Sequence, residues 1–457
     1  MNLIAQQTTP QPEVRSGSRS RLAVAALFVG FPIVFFYIIL FRTVLDIPFY
    51  DGYGGLEWVN HLEKLNGFAA RLSFLFESQF NEYKLVFGEA VVWLQYTLMG
   101  HVDFTVLSAV SNAFVLLIAL LLWKMFLPAH KDTGTRLALF IPVSWLLFQF
   151  EYFELLNLGG SGLQHLPSLL FAFAAIYLLF GKTRTAFAGA LAFYVLAVAA
   201  STNGFLLLPI GLLILAPGRR YARIVVWLVA SAGCVAVYFH HYNVTSSKSS
   251  PDHSVISALL HLRLLYAVSF IGSAAGNLFL VAGIVLGTSL CVFFIWMACR
   301  GYVRRNPAVS CCVLFLLLTA IGVAGIRSDG GLTPSAASRY TIYSALFLIF
   351  AWFAVVEEFL QHSRVSLLNN GAYLGAVAAA VFFSIFVDAI GFSTMKVMEK
   401  RIVEGMVEFE HPNPPDSTIG PIVPLWKGDV ELPKSNPRAR AALIESIRLG
   451  VYRPPEY

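Results

Sequence analysis

Apolar runs of roughly membrane-crossing length, separated by short polar interruptions, dominate this chain. Measured against the roughly 20 residues a helix needs to cross a hydrocarbon core, the runs fall at 22–42, 104–127, 137–150, 162–180, 185–203, 204–217, 223–240, 277–299, 307–326, 340–360 and 368–391. Some are shorter than that requirement, and the division around Asn203-Gly204 is soft. Two further stretches are ambiguous: Glu89 and Gln95 interrupt 85–100, and His261 and Arg263 interrupt 255–273. The pattern predicts an all-α, polytopic membrane protein with about eleven transmembrane helices. The first run exceeds the apolar core of a signal peptide and no small-residue cleavage site follows it, so it is expected to be a retained span.

The positive-inside rule sets an expected orientation. With both ambiguous stretches along the interface, basic groups gather on one side: Arg15/Arg19/Arg21, Lys124/Lys131/Arg136, Lys182/Arg184, Arg219/Arg220/Arg223 and Arg300/Arg304/Arg305. The N-terminus is then cytoplasmic and the C-terminus extracytoplasmic, in what fits a bacterial inner (cytoplasmic) membrane. Three regions result: a cytoplasmic segment 1–21, a transmembrane module 22–391, and an extracytoplasmic tail 392–457. The outer side owns the long hydrophilic stretches 43–103, 151–161, 241–276 and 327–339, so chemistry is expected there. The tail is too small for a generous core of its own and should dock over the outer loops.

Composition fits this picture. Hydrophobic residues make up 57% of the 457 residues and charged ones only 13%, against about a quarter in soluble domains, and mean hydropathy is +0.70. Lipid must be the solvent, and membrane lipid a partner. The net charge of +6 is dispersed between apolar runs, which argues against a nucleic-acid partner. All five cysteines lie inside apolar segments and are expected to be small buried side chains. His240 and His241 adjoin a span end, but adjacent histidines cannot easily share a metal from one helix face, so no metal site is expected there.

The first outer loop is the most informative segment. It reads Asp46-Ile-Pro-Phe-Tyr-Asp51-Gly-Tyr-Gly-Gly, followed by apolar positions 56, 58, 59, 62 and 65, a pattern for an amphipathic helix lying on the membrane. A second stretch ends in Phe80-Asn81-Glu82-Tyr83-Lys84, ahead of the apolar 85–100. Two or three interfacial helices are therefore expected, with Asp51 at the mouth and Lys84 at the far end. The second outer loop, 151–165, places Glu151, Glu154, Asn157, Gln164 and His165 around a Gly-rich turn, polar groups that are costly to hold near lipid without a purpose.

A first span, a long loop with an early Asp, juxtamembrane helices ending in a basic residue, and paired spans with basic turns together resemble the GT-C superfamily of integral-membrane glycosyltransferases. The stretch from Asp51 to Phe104 is similar to a bacterial branch with an acidic pair after Pro-Phe and a later Asn-Glu-His-Arg motif. Here Gly52 replaces the second acid, and Asn81-Glu82-Tyr83-Lys84 stands at the later motif. The resemblance implies an inverting transferase that takes a sugar from a polyprenyl-phosphate donor to a glycan, lipid or secreted polymer. It implies a catalytic base or metal-linked carboxylate at Asp51, with Asp46 second, and a further acid at Glu154. The donor phosphate calls for cations, and Lys84 and Arg339 are the candidates; Asn81, Glu82, Asn157 and His165 are further polar candidates. A divalent cation, Mg²⁺ or Mn²⁺, is compatible with the resemblance, though with one clear acid per loop it is not required. A lipid-linked-glycan flippase or transporter would place ionisable groups near mid-membrane, and the spans are almost free of charge at their centres. An O-antigen-type polymerase or ligase shares the outer-face chemistry and stays open.

Overall fold

The computed structural model describes residues 17–80, 83–126, 133–157, 159–243, 253–276, 279–362, 371–410 and 437–455. Among them it holds nineteen α-helices and no strand. In chain order they are α1 Gly17–Thr43, α2 Asp51–Lys64, α3 Phe68–Glu77, α4 Val86–Met99, α5 Phe104–Met125, α6 Thr133–Leu147, α7 Phe153–Asn157, α8 Gly159–Leu179, α9 Arg184–Ala200 and α10 Leu207–Leu215. There follow α11 Tyr221–Phe239, α12 His253–Ile271, α13 Ser273–Gly276, α14 Leu280–Cys299, α15 Tyr302–Arg305, α16 Pro307–Arg327, α17 Ser338–His362, α18 Gly371–Glu410 and α19 Pro437–Arg448.

This is an all-α polytopic membrane protein. A helix stands at each of the eleven expected places, and eight are long and apolar enough to cross a membrane: α1, α5, α8, α11, α14, α16, α17 and α18. α6, α9 and the 202–218 stretch are apolar but shorter. α1 shows why lipid must surround the bundle. Leu27, Phe31, Val34, Ile38 and Phe41 are exposed at helical spacing, while Phe36 and Leu40 are fully buried. Such an apolar stripe turned outward is stable only in hydrocarbon.

Local signals set many boundaries. Asp103 caps α5 by accepting the Val106 N–H at 2.9 Å, Thr183 caps α9 through Ala186 N–H, and Asn306 caps α16 ahead of Pro307, as expected of helix starts. α12 and α14 cross through glycines. A β-carbon on Gly272 would lie 1.9 Å from the Gly283 carbonyl oxygen, and one on Gly287 at 1.9 Å from that of Val268. The backbones therefore approach as only glycine permits.

One boundary moves. α18 continues through residue 391 without a break to Glu410. Its 40 residues span about 60 Å, twice a hydrocarbon core of about 30 Å, so the stretch after 391 is an extension of the last span. α19 docks on α2 as expected of the tail. The Asn60 side chain donates to Ala442 O (3.0 Å) and accepts from Ser446 Oγ (3.0 Å), Val102 N–H donates to Val451 O, and Tyr452 OH donates to Asp46 O. Arg448 and Lys64 hold the Glu445 carboxyl down to about 2.

Candidate functional site

Three helices, α2, α3 and α4, fill the first long loop and form a shelf at one end of the bundle. Tyr50 turns the chain into α2 with a φ of +45°, a conformation rare for side-chain-bearing residues and of order 1–3 kcal/mol in strain. The turn puts Asp51 in the first turn of α2, where the helix dipole favours a carboxylate. The glycines behind it admit neighbours: a β-carbon on Gly54 would sit 2.2 Å from the Phe80 ring. α2 is therefore pressed against the 78–80 segment, and a hollow opens between them.

That hollow is a cavity of about 290 Å³ with Asp51 on its wall, at the lower end of the range for small-molecule sites. Its other walls come from α2 (Glu57, Trp58, His61), α3 (Phe74), the 78–80 segment (Ser78, Gln79, Phe80), α4 (Glu89), α8 (Gln164) and the tail helix (Arg438). Phe74 stacks on both Trp58 and His61, with ring centroids 5.5 and 4.5 Å away, and the buried Trp58 indole N–H has no partner among the described residues. Arg438 meets Glu57 at 2.8 Å. Glu89 accepts from Ser78 Oγ at 2.7 Å, and burial pushes its carboxyl up to about 8 against the opposing pull of Ser78 and Lys84. At neutral pH it is a neutral hydrogen-bonding acid. Stacked rings beside carboxyls and amides form a surface on which a polyhydroxylated ring can be both stacked and hydrogen-bonded.

Behind Asp51, the second loop meets the start of α17. Glu154 Oε2 lies 3.6 Å from the Arg339 guanidinium and 3.4 Å from its backbone N–H. Ser338 Oγ accepts the Glu154 N–H and donates to Glu151 O, which fixes α7 on α17. Burial raises the Glu154 carboxyl above its ordinary range, and Arg339 works against that rise. Asp51 is within electrostatic reach of both partners. His165 on α8 pairs through Nδ1 with Tyr343 OH at 2.9 Å and feels the Arg339 charge. Four of the residues singled out in the sequence, Asp51, Glu154, His165 and Arg339, thus share one electrostatic neighbourhood.

The others have different employment. Asp46 accepts the Phe104 N–H at 2.7 Å and ties the loop to the start of α5; burial raises its carboxyl to about 6. Lys84, expected at the donor phosphate, is 1% exposed and its ammonium donates to the carbonyls of Phe76 (2.9 Å) and His240 (2.5 Å). Burial drags that ammonium below its usual range. It fastens α3 to the end of α11, because a buried ammonium must find acceptors. Arg327 donates to Tyr83 OH at 3.2 Å, and its charge, like that of Arg339, reaches the Tyr266 hydroxyl. Asn157 buries its side-chain carbonyl oxygen without a partner among the described residues. Asn81 and Glu82 lie outside the described residues.

A divalent cation beside Asp51 would need several oxygen donors. Glu154 is already matched by Arg339, and no third acid or imidazole completes a cluster there among the described residues. Among the described residues, the trio with ligand atoms within 4.8 Å of one another is Glu77, His240 and His241, none of which lines the cavity. The residues around Asp51 do not fit Mg²⁺ or Mn²⁺. The sequence reading also passed over Glu89, Trp58, Phe74 and Phe80 as site residues. The available signal was the apolar face of α2 and an acid placed in an otherwise apolar α4. No family model matches the chain, and neither does any curated protein or solved structure.

Proposed function

We propose that the protein is a membrane glycosyltransferase, resembling the GT-C superfamily, that moves a sugar from a polyprenyl-phosphate donor to a glycan, lipid or secreted polymer at the outer face of the membrane. The observation that carries this reading is the position of Asp51, on the wall of an aromatic and carboxyl-lined cavity and in electrostatic contact with the Glu154–Arg339 pair. The acceptor hydroxyl occupies the cavity, and the Asp51 carboxylate takes its proton as the oxygen attacks the anomeric carbon. The bond from that carbon to the phosphate oxygen breaks, and polyprenyl phosphate leaves with the electron pair. Arg339 stabilises the charge that develops on the departing phosphate. The lipid chain of such a donor has a ready solvent beside the bundle, where the α1 stripe faces hydrocarbon.

The orientation that this reading needs is tested by labelling a cysteine-free background from outside intact cells with an impermeant thiol reagent. A cysteine at Asn66, exposed on the shelf, should label directly. One at Lys182, exposed in the α8–α9 turn, should label only after permeabilisation. The activity is tested by reconstituting the protein with synthetic polyprenyl-phosphate sugars and following release of polyprenyl phosphate. Release that requires an acceptor and Asp51 supports the reading. Labelling of Lys182→Cys from outside, or release unaffected by loss of Asp51, overturns it.

A further inference from the structure

Outside the cavity, the ends of α3 and α11 meet in an arrangement that the sequence conceals. α11 stops at Phe239, His240 leaves the helix with extended backbone, and His241 turns into the left-handed region with φ of +54°. On a continuous helix, adjacent side chains point about 100° apart and could not share a ligand. The left-handed turn brings the two imidazoles together, with ring centroids 4.2 Å apart, and Glu77, the last residue of α3, arrives opposite them.

From this geometry we infer that Glu77, His240 and His241 form a binding site for a transition-metal dication, with Zn²⁺ the best match. Two imidazole nitrogens and one carboxylate oxygen are a three-ligand zinc set that leaves a fourth position for water. The same donors suit Mg²⁺ and Ca²⁺ poorly, since those ions take six or more oxygens. The ligand atoms lie within 4.8 Å of one another, and tetrahedral zinc with bonds of about 2.0 Å holds its ligands about 3.3 Å apart. All three side chains are exposed, so rotation about their own bonds closes that gap without moving the backbone.

The surroundings are built for such a site. Ser73 Oγ donates to Glu77 Oε1 at 2.7 Å, which orients the carboxylate and leaves its other oxygen for the metal, as an outer partner does in zinc sites. The two halves are already clamped. Lys84 bridges the carbonyls of Phe76 and His240, the Gln79 side chain pairs in both directions with the Asn243 backbone at 3.0 and 2.9 Å, and Tyr238 OH accepts the Lys84 N–H. The nearby ammonium of Lys84 repels a dication, but it is directed at carbonyls and is offset by the Glu77 charge. Because Gln79 also lines the cavity, metal at this point pins one cavity wall to α11. The inference does not depend on the transferase reading.

The experiment uses full-length protein without a histidine tag, in detergent, stripped with chelator and dialysed. Co²⁺ is titrated in, followed by its visible ligand-field absorption, and then displaced with Zn²⁺. The parent should take up one equivalent with an intense tetrahedral spectrum that Zn²⁺ abolishes. Glu77→Gln and His240→Ala should each weaken binding at least tenfold. His241→Asn, whose side chain tolerates the left-handed backbone, should do the same without disturbing the turn. Zn²⁺ should raise the parent's thermal midpoint and leave those of the variants unmoved, while metal-free midpoints of parent and variants agree. Absence of saturable Co²⁺ uptake by the parent, or titrations of all three variants that superimpose on it, overturns the site.

Discussion

Arginines stand at both ends of the helix bundle, but at one end an arginine–glutamate pair lies within electrostatic reach of an acid that lines a cavity. Arg223 donates to the carbonyls of Gly181, Lys182 and Thr183, and Arg136 lies over the Trp123 ring at 4.4 Å while donating to its carbonyl. Arg300 and Arg305 both meet Glu358. Arg223 and Arg136 bond backbone carbonyls at helix ends, while Arg300 and Arg305 tie the α14–α16 connection to α17 through Glu358, ordinary uses of a cation at a membrane surface. At the shelf end, Arg339 meets a buried Glu154 whose carboxyl is raised, within electrostatic reach of Asp51, which lines the cavity. Residue type and burial are shared by the two ends, Arg305 and Arg339 each meeting a largely buried glutamate; the difference is that the second pair is within electrostatic reach of an acid that lines a cavity.

Substitutions at the two ends should have different consequences. On the proposed reading the largest effect comes from Asp51→Asn, which keeps size but removes the proposed base: sugar transfer should fall by about a hundredfold or more while donor binding survives, read in reconstituted vesicles. Transfer at the parent rate would make Asp51 structural. Next comes Arg339→Gln, which loses a charge-assisted contact worth a few kcal/mol from a partly desolvated site. Donor affinity should drop by about tenfold or more, and Arg339→Lys should recover only part of it, since a point charge cannot reproduce the planar fork. Arg223→Gln at the opposite end should leave donor affinity unchanged; equal losses would erase the distinction between the ends.

A third test uses pH. Burial pushes the Glu89 carboxyl up to about 8 in the folded protein, from an ordinary 4.5. Between those values the folded state keeps a proton that the unfolded chain has released, so stability falls as pH rises from about 4.5 to about 8 and levels off above. Across that window the decline should be of the order of a few kcal/mol, visible in thermal midpoints, and Glu89→Gln should flatten it. An unaltered slope in the variant would place the titration elsewhere. The smallest effect concerns the tail. Asn60→Ala removes two hydrogen bonds to α19 and should weaken its docking by about 1–3 kcal/mol, read as faster amide exchange in 437–448. Protection equal to the parent's would mean that apolar contacts alone hold the tail.

The sequence by itself determined the helices and their solvent. Periodicity, caps such as Asp103 and Asn306, and the scarcity of charge are local properties, and a bilayer forces every buried backbone group to be satisfied within its own helix. It also marked Asp51, Glu154, His165 and Arg339, because polar side chains in apolar surroundings are conspicuous without any knowledge of their neighbours. What it could not decide was company. Lys84 and Arg339 look alike in the sequence as cations at helix ends, yet Lys84 is buried on two backbone carbonyls and Arg339 pairs with Glu154 within electrostatic reach of Asp51. Glu89 passed as an interruption until Ser78 and α2 enclosed it, and His240 and His241 could not be seen to meet Glu77 across the 163 positions from 77 to 240. Burial, and the partners a buried charge must find, are set by which helices pack together, and that is a property of the assembled bundle.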